Sequence, residues 1–297
     1  MANLKEVRER INSVMSTQQI TKAMKMVAAA KLRRSQQSIV QLRPYANKLQ
    51  AMLSNILASV DTGDQDNDQD EETTIEKPLV VLITSSRGLC GAFNSNLIKT
   101  AIQCVEEKYG AQLAAGNLTM LCIGKKGYDF FRKRYPTIKM IADHVELVGK
   151  EFSFNDSEKI SQQLVAQYHE GVYDAIDIIY AQFKNAATQN FIVEQFLPVA
   201  KAEKTEEDVN ADFIFEPSQE EILSYLVPTI LKTQFYKTVI DTAASEHGAR
   251  MTAMDKASEN ADEILKTLRI NYNKARQENI TNELSEIVGG AAALESA

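Results

Sequence analysis

The chain has 297 residues, 44% hydrophobic and 25% charged, enough for one or two buried cores. Gly 12, Pro 6 and no Trp mean few chain breakers, which favours long helices. No apolar run reaches the roughly 18 residues of a spanning helix, so any membrane link is expected to be peripheral. The formal net charge is −7 but uneven: residues 1–48 hold ten Lys/Arg against two acids, Glu6 and Glu9, and should seek an acidic partner, protein or nucleic acid.

Met1-Ala2-Asn3-Leu4-Lys5 enters a helical pattern at once, so no signal or transit segment is expected and a bacterial cytoplasmic setting fits best, with a mature organellar chain as the alternative. Steps of three and four from Leu4 give a stripe: Leu4, Val7, Ile11, Val14, Gln18, Thr21, Lys25, Ala28, Leu32, Ser35, Ile39, Leu42, Ala46, Leu49, Leu53, Ile56 and Val60. Thirteen of these 17 are apolar, well above the chain average, so a coiled-coil helix over 1–60 is predicted, roughly 85 Å long. Pro44 is expected to kink it. Residues 61–77 begin with the acidic, apolar-free run Asp61–Glu72 and read as a mobile loop; a calcium-loop spacing is absent.

An α/β domain is predicted over 78–200. Leu79–Thr84, Leu118–Ile123 and Ala175–Ala181 are short apolar runs of the kind found in buried parallel strands, and Phe191–Phe196 is a weaker one. Amphipathic stretches at about 94–109, 125–135 and 156–170 alternate with them, so a Rossmann-like, mostly parallel sheet is expected. Residues 201–217 connect this domain to a second long helix over 218–297, opened by a Ser218-x-x-Glu221 capping box. Its stripe runs from Leu223 through Ile230, Ile240, Met254 and Leu265 to Ala275, then slips phase to Ile280, Leu284, Ile287, Ala291 and Leu294. The two stripes have no other evident cover, so an antiparallel pair is expected. Leu4 level with Ala275 and Val60 level with Gln219 imply one register, which places Val14 beside Leu265, Lys25 beside Met254 and Leu32 beside His247.

Catalytic and cofactor signatures are missing. Arg87-Gly88-Leu89-Cys90-Gly91, after the first strand, lacks both GxGxxG and GxxxxGK[ST], and Gly124-Lys125-Lys126-Gly127 is equally weak. The dispersed Cys90, Cys104 and Cys122 read as buried reduced thiols, and three scattered histidines give no metal spacing. His247 reads as a hydrogen-bonded stripe residue. No catalytic residue, cofactor or metal is expected. A nucleotide-binding α/β protein with dimerising helical arms is the alternative; a basic-helix nucleic-acid binder is disfavoured by the acidity of the whole.

Three segments resemble the γ-subunit family of F-type ATP synthases: Thr17–Arg33 (TQQITKAMKMVAAAKLR), Arg87–Gly91 (RGLCG), and Ser245–Met254 (SEHGARMTAM) leading through Tyr272–Gln277 to Ile280–Ala291. Ser86 and Ala92 depart from the family's usual residues, and the acidic run is unusual. The resemblance implies a non-catalytic central-stalk rotor that couples rotation of a membrane c-ring to changes at the catalytic β subunits. Its implied partners are the α and β subunits of the head, a small ε-type stalk subunit and the c-ring. One copy per complex is implied, at the cytoplasmic face of the bacterial plasma membrane, with no nucleic acid. By the same resemblance Met24, Arg250, Arg276 and Gln277 face the head, Phe213 and Glu216 meet the c-ring, and Ile280, Leu284, Ile287 and Leu294 form a bearing tip.

Overall fold

The computed structural model describes residues 4–60, 75–147, 153–198 and 219–295. The acidic run, the 201–217 connector with Phe213 and Glu216, and the Ser218 cap lie outside the described residues. The chain divides into two units, one of residues 1–28 with 250–297 and one of residues 29–249.

The first unit is a pair of helical segments from α1 (Leu4–Val60) and α6 (Gln219–Glu295). Every position of the α1 stripe from Leu4 to Leu49 is buried or half-buried, while most residues between are exposed; Pro44 lies within α1 without ending it. The hydroxyls of Thr21 and Ser258 stand 2.8 Å apart across the pair. That level is one turn from the expected Lys25–Met254 level, so the antiparallel register read from the helix ends is the one observed. Lys25 Nζ meets Asp255 at 2.5 Å, and the Gln18 amide donates to Asp262. Ala28, Met254, Ala261 and Leu265 are buried along the same seam.

The second unit is built on a five-stranded sheet in the order β3-β2-β1-β4-β5. The strands are β1 (Pro78–Ile83), β2 (Thr119–Ile123), β3 (Lys139–Ile141), β4 (Ala175–Phe183) and β5 (Gln189–Leu197). The first four run parallel and β5 is antiparallel to β4. The apolar run Leu79–Ile83 is continuous because both faces of β1 are covered. Leu79, Val81 and Ile83 point into one core, with Ile160 and Leu164 of α5 (Phe154–His169) and with Leu231, Phe235 and Val239 of α6. Val80 and Leu82 point into the other, with Phe93, Leu97, Ala101 and Val105 of α2 (Phe93–Glu107) and Phe131 of α4 (Lys125–Arg134).

Four elements differ from the sequence reading. The strand β3 and the helix α3 (Gly110–Ala115) escape it because three and six residues are too short to show a period, and Gly116 at φ 70° stops α3. The helix α5 starts two residues earlier than expected, at a Ser153–Asp156 capping box. Most consequentially, α6 is not covered by α1 alone. From Leu226 to Ala249 no residue of α6 is exposed, because a second stripe on the helix packs on the sheet.

Candidate partner-binding surfaces

With no catalytic or cofactor signature in the sequence, the candidate functional surfaces are those that the folded elements leave exposed. On α6, every described side chain from Arg276 to Ala291 is exposed. Ile280, Leu284, Ile287 and Val288 recur at helical spacing there and are 49%, 57%, 68% and 66% exposed, an apolar stripe that nothing among the described residues covers. The side chain of Leu294 lies outside the described set. Arg276 and Gln277 sit at the start of this bare segment. Met24 and Arg250, by contrast, are half-buried in the helix pair.

On α1, Lys22, Lys31, Arg33 and Arg34 are exposed, as the charge pattern predicts for a basic face. Ile20, Met26 and Val27 are 59%, 67% and 58% exposed beside them. In the sequence all three are apolar residues out of phase with the stripe. A face mixing such residues with lysines suits a partner that covers it while leaving the charges at the rim.

The place where a doubly wound sheet would take a phosphate is filled by the protein itself. Beyond β1, the Ser85 amide donates to Asn94 Oδ1 at 3.1 Å and the Ser85 hydroxyl donates to the Arg87 carbonyl at 2.6 Å. Asn94 Nδ2 reaches Ser85 Oγ at 2.7 Å and Cys90 Sγ at 3.1 Å. At the start of α4, the Gly127 amide donates to Thr84 Oγ1 at 3.0 Å and the Lys126 amide to the Ser85 carbonyl at 3.2 Å. A Cβ on Gly124 would lie 2.0 Å from the Thr84 carbonyl oxygen, so only glycine at φ 108° lets the two turns touch. The first amides of α4 are thus committed to the residues just beyond β1 rather than open to an anion.

The titratable groups of the domain are structural too. Asp177, buried on β4, accepts from Lys108 Nζ at 2.6 Å and Tyr109 Oη at 2.8 Å. Burial pushes the Cys104 thiol up to about 11 and Cys122 up to about 12, which keeps both protonated and weakly nucleophilic. All three cysteines are buried and outside any disulfide, as their spacing suggested. Asp241 is 2% exposed, and burial raises its carboxyl to about 6 despite Lys237 and Arg43 nearby. Among the described residues no group of His, Cys, Asp and Glu could hold a metal ion, and no helix is long and apolar enough to cross a membrane.

A family model described as ATP synthase matches residues 3–294. The chain is 52% identical over 295 residues to the ATP synthase gamma chain of Flavobacterium psychrophilum, and 49% identical over 297 residues to that of Cytophaga hutchinsonii, with 99% of each chain covered in both comparisons. Among solved structures, the central stalk and c-ring of the Tetrahymena thermophila mitochondrial ATP synthase includes a chain that is 26% identical. It superposes with a TM-score of 0.56 over 80% of this chain and 99% of that one. A paired-helix protein with a closed Rossmann-like domain, matched end to end by such relatives, belongs to the ATP synthase gamma-chain family.

Proposed function

We propose that this chain is the non-catalytic coupling rotor of its complex, one copy turning inside a ring of α and β subunits. In this reading the membrane c-ring and a small ε-type subunit hold its base at the cytoplasmic face of the bacterial plasma membrane. Met24, Arg250, Arg276 and Gln277 meet the head, and Phe213 and Glu216 meet the c-ring. The bare apolar end of α6, with Ile280, Leu284, Ile287 and Leu294, turns in the head as a bearing. The observation that carries this assignment is the exposed stripe on that end, which nothing among the described residues covers and which a surrounding apolar collar would bury. A bearing must hold without locking, and contacts that are apolar rather than bidentate ion pairs resist rotation least, because they have no preferred direction.

The test is truncation after Asn279 in the assembled complex. The shortened chain is expected to dissociate from the head at least about tenfold faster while its α/β domain keeps a cooperative melt. Equal retention of the shortened chain would remove the bearing role. The pure, partner-free chain is expected to hydrolyse no ATP, since the turn beyond β1 is closed and no activated nucleophile faces it.

A further inference from the structure

The open edge of β4 is finished by a helix. β1 pairs with β4 only as far as Leu82 opposite Ile179, so Ala181 lies beyond the last paired level on that side. Its other edge pairs with Phe191 of β5. Ala181 is nevertheless fully buried, and a buried strand edge needs partners for its amide and carbonyl. Both come from α6: the Ala181 amide donates to Thr242 Oγ1 at 3.4 Å, and Ser245 Oγ donates to the Ala181 carbonyl at 3.1 Å. Thr242 gives its own proton to the Thr238 carbonyl at 2.7 Å, so every hydrogen in the arrangement has one acceptor.

The surrounding stripe is graded to suit this contact. Leu231 and Phe235 fill the core under the sheet, and Thr242 and Ser245 then meet bare backbone. Gly248 follows, where a Cβ would stand 3.2 Å from both Cα and the carbonyl oxygen of Ala186 in the β4–β5 turn. Two further side-chain bonds tie α6 to the domain: Gln234 Nε2 to Glu194 at 2.6 Å, and Lys232 Nζ to Glu158 at 2.8 Å. In the same unit α1 keeps an exposed side, with Lys31, Arg33, Val40 and Tyr45 in solvent. Helix α6 has no exposed residue from Leu226 to Ala249, whereas α1, although it buries Leu32 and Ile39 and its Arg43 donates to the Phe183 carbonyl at 3.5 Å, keeps one side in solvent.

We propose that twist passes between the α/β domain and the paired helices through α6, with Thr242 and Ser245, clamped on the Ala181 backbone, as the positioning residues that keep helix and sheet from turning past one another. This rests on the rotor reading. It is tested in the reconstituted membrane complex with a Thr242→Val, Ser245→Ala double variant, which keeps approximate volume and removes both cross-bonds. Protons pumped per ATP hydrolysed should fall at least about twofold, and the Ala181 amide of the full-length chain should exchange with solvent at least about tenfold faster. The pair Thr242→Ser, Ser245→Thr, which keeps both hydroxyls, should restore both readouts. An unchanged pumping ratio in the double variant overturns the proposal, whatever the amide does. Should the double variant not assemble, an Ala181→Cys, Thr242→Cys pair in a background lacking Cys90, Cys104 and Cys122 decides the matter. Oxidised, it should pump as well as reduced, because clamped partners never part; a loss on oxidation that reduction reverses overturns the proposal. A wild-type complex that fails to pump at all would count instead against the rotor reading.

Discussion

The two units use the same helices in opposite ways. Between Met251 and Ala275, α6 buries one stripe against α1 and leaves Ile264 and Ile270 47% and 68% exposed. Between Leu226 and Ala249 it has no exposed residue at all. The paired segment is a two-helix seam with polar rungs at Gln18–Asp262, Thr21–Ser258 and Lys25–Asp255. The domain segment is a core element, with Phe235 against Phe196 at 6.0 Å between ring centroids. A thin seam can be handled by partners on every side. An embedded helix transmits what its domain does. One continuous helix does both because its second stripe turns from large apolar residues to hydroxyls and glycine before it ends.

The contrast breaks most readily at the core. Phe235→Ala, at a fully buried site ringed by the sheet, is expected to cost about 3–5 kcal/mol in urea unfolding. Leu265→Ala, on the two-helix seam where neighbours can close in, is expected to cost about 2 kcal/mol. Equal losses would mean that the two segments are equally well packed.

The next effect is electrostatic. The Asp241 carboxyl is raised from 3.8 to about 6, chiefly by burial. The folded state therefore binds a proton more tightly than the unfolded one between those values. Stability from this group falls as pH rises through that window, reaching a deficit of about 3 kcal/mol above it. Asp241→Asn is expected to be more stable than the wild type at pH 8 and to lose that advantage toward pH 4. A difference between the two proteins that stays flat with pH would contradict the burial argument.

Smaller effects are expected where hydroxyls and exposed ions are involved. Ser157 Oγ and Ser161 Oγ on α5 are buried without a hydrogen-bond partner. Ser157→Ala is accordingly expected to be neutral or to stabilise by about 1 kcal/mol, and a loss above that would reveal a bond the hydroxyl makes in solution. At the paired segment, Lys25 and Asp255 are 41% and 46% exposed, so a double-mutant cycle on them is expected to return about 0–1 kcal/mol and to shrink with salt. A coupling well above that range would give the rung a structural weight that its exposure denies.

Long periods survive translation into structure, which is why the paired helices were legible residue by residue. The α1 stripe is buried or half-buried from Leu4 to Leu49, and the Thr21–Ser258 level follows from matching two helix ends. Four strands and three domain helices were legible for a related reason: a buried parallel strand has to be apolar on both faces, and a surface helix on one. The three family segments carry the resemblance to the γ-subunit family, but no local pattern marks the stretch of α6 that packs on the sheet. Thr238, Thr242, Ser245 and Gly248 count as polar or small in any periodicity, so the second stripe dissolves into background. Their meaning depends on where β1 stops relative to β4, a fact of strand register between segments about a hundred residues apart. The closed phosphate turn has the same origin. Sequence shows that the glycine pattern is wrong for a nucleotide, whereas only the fold shows Asn94, Thr84 and the first amides of α4 taking the anion's place. Sequence alone determined where apolar surface had to be hidden; the tertiary structure decided which neighbour hides it, because backbone edges and small residues declare their partners only when strands and helices are brought together.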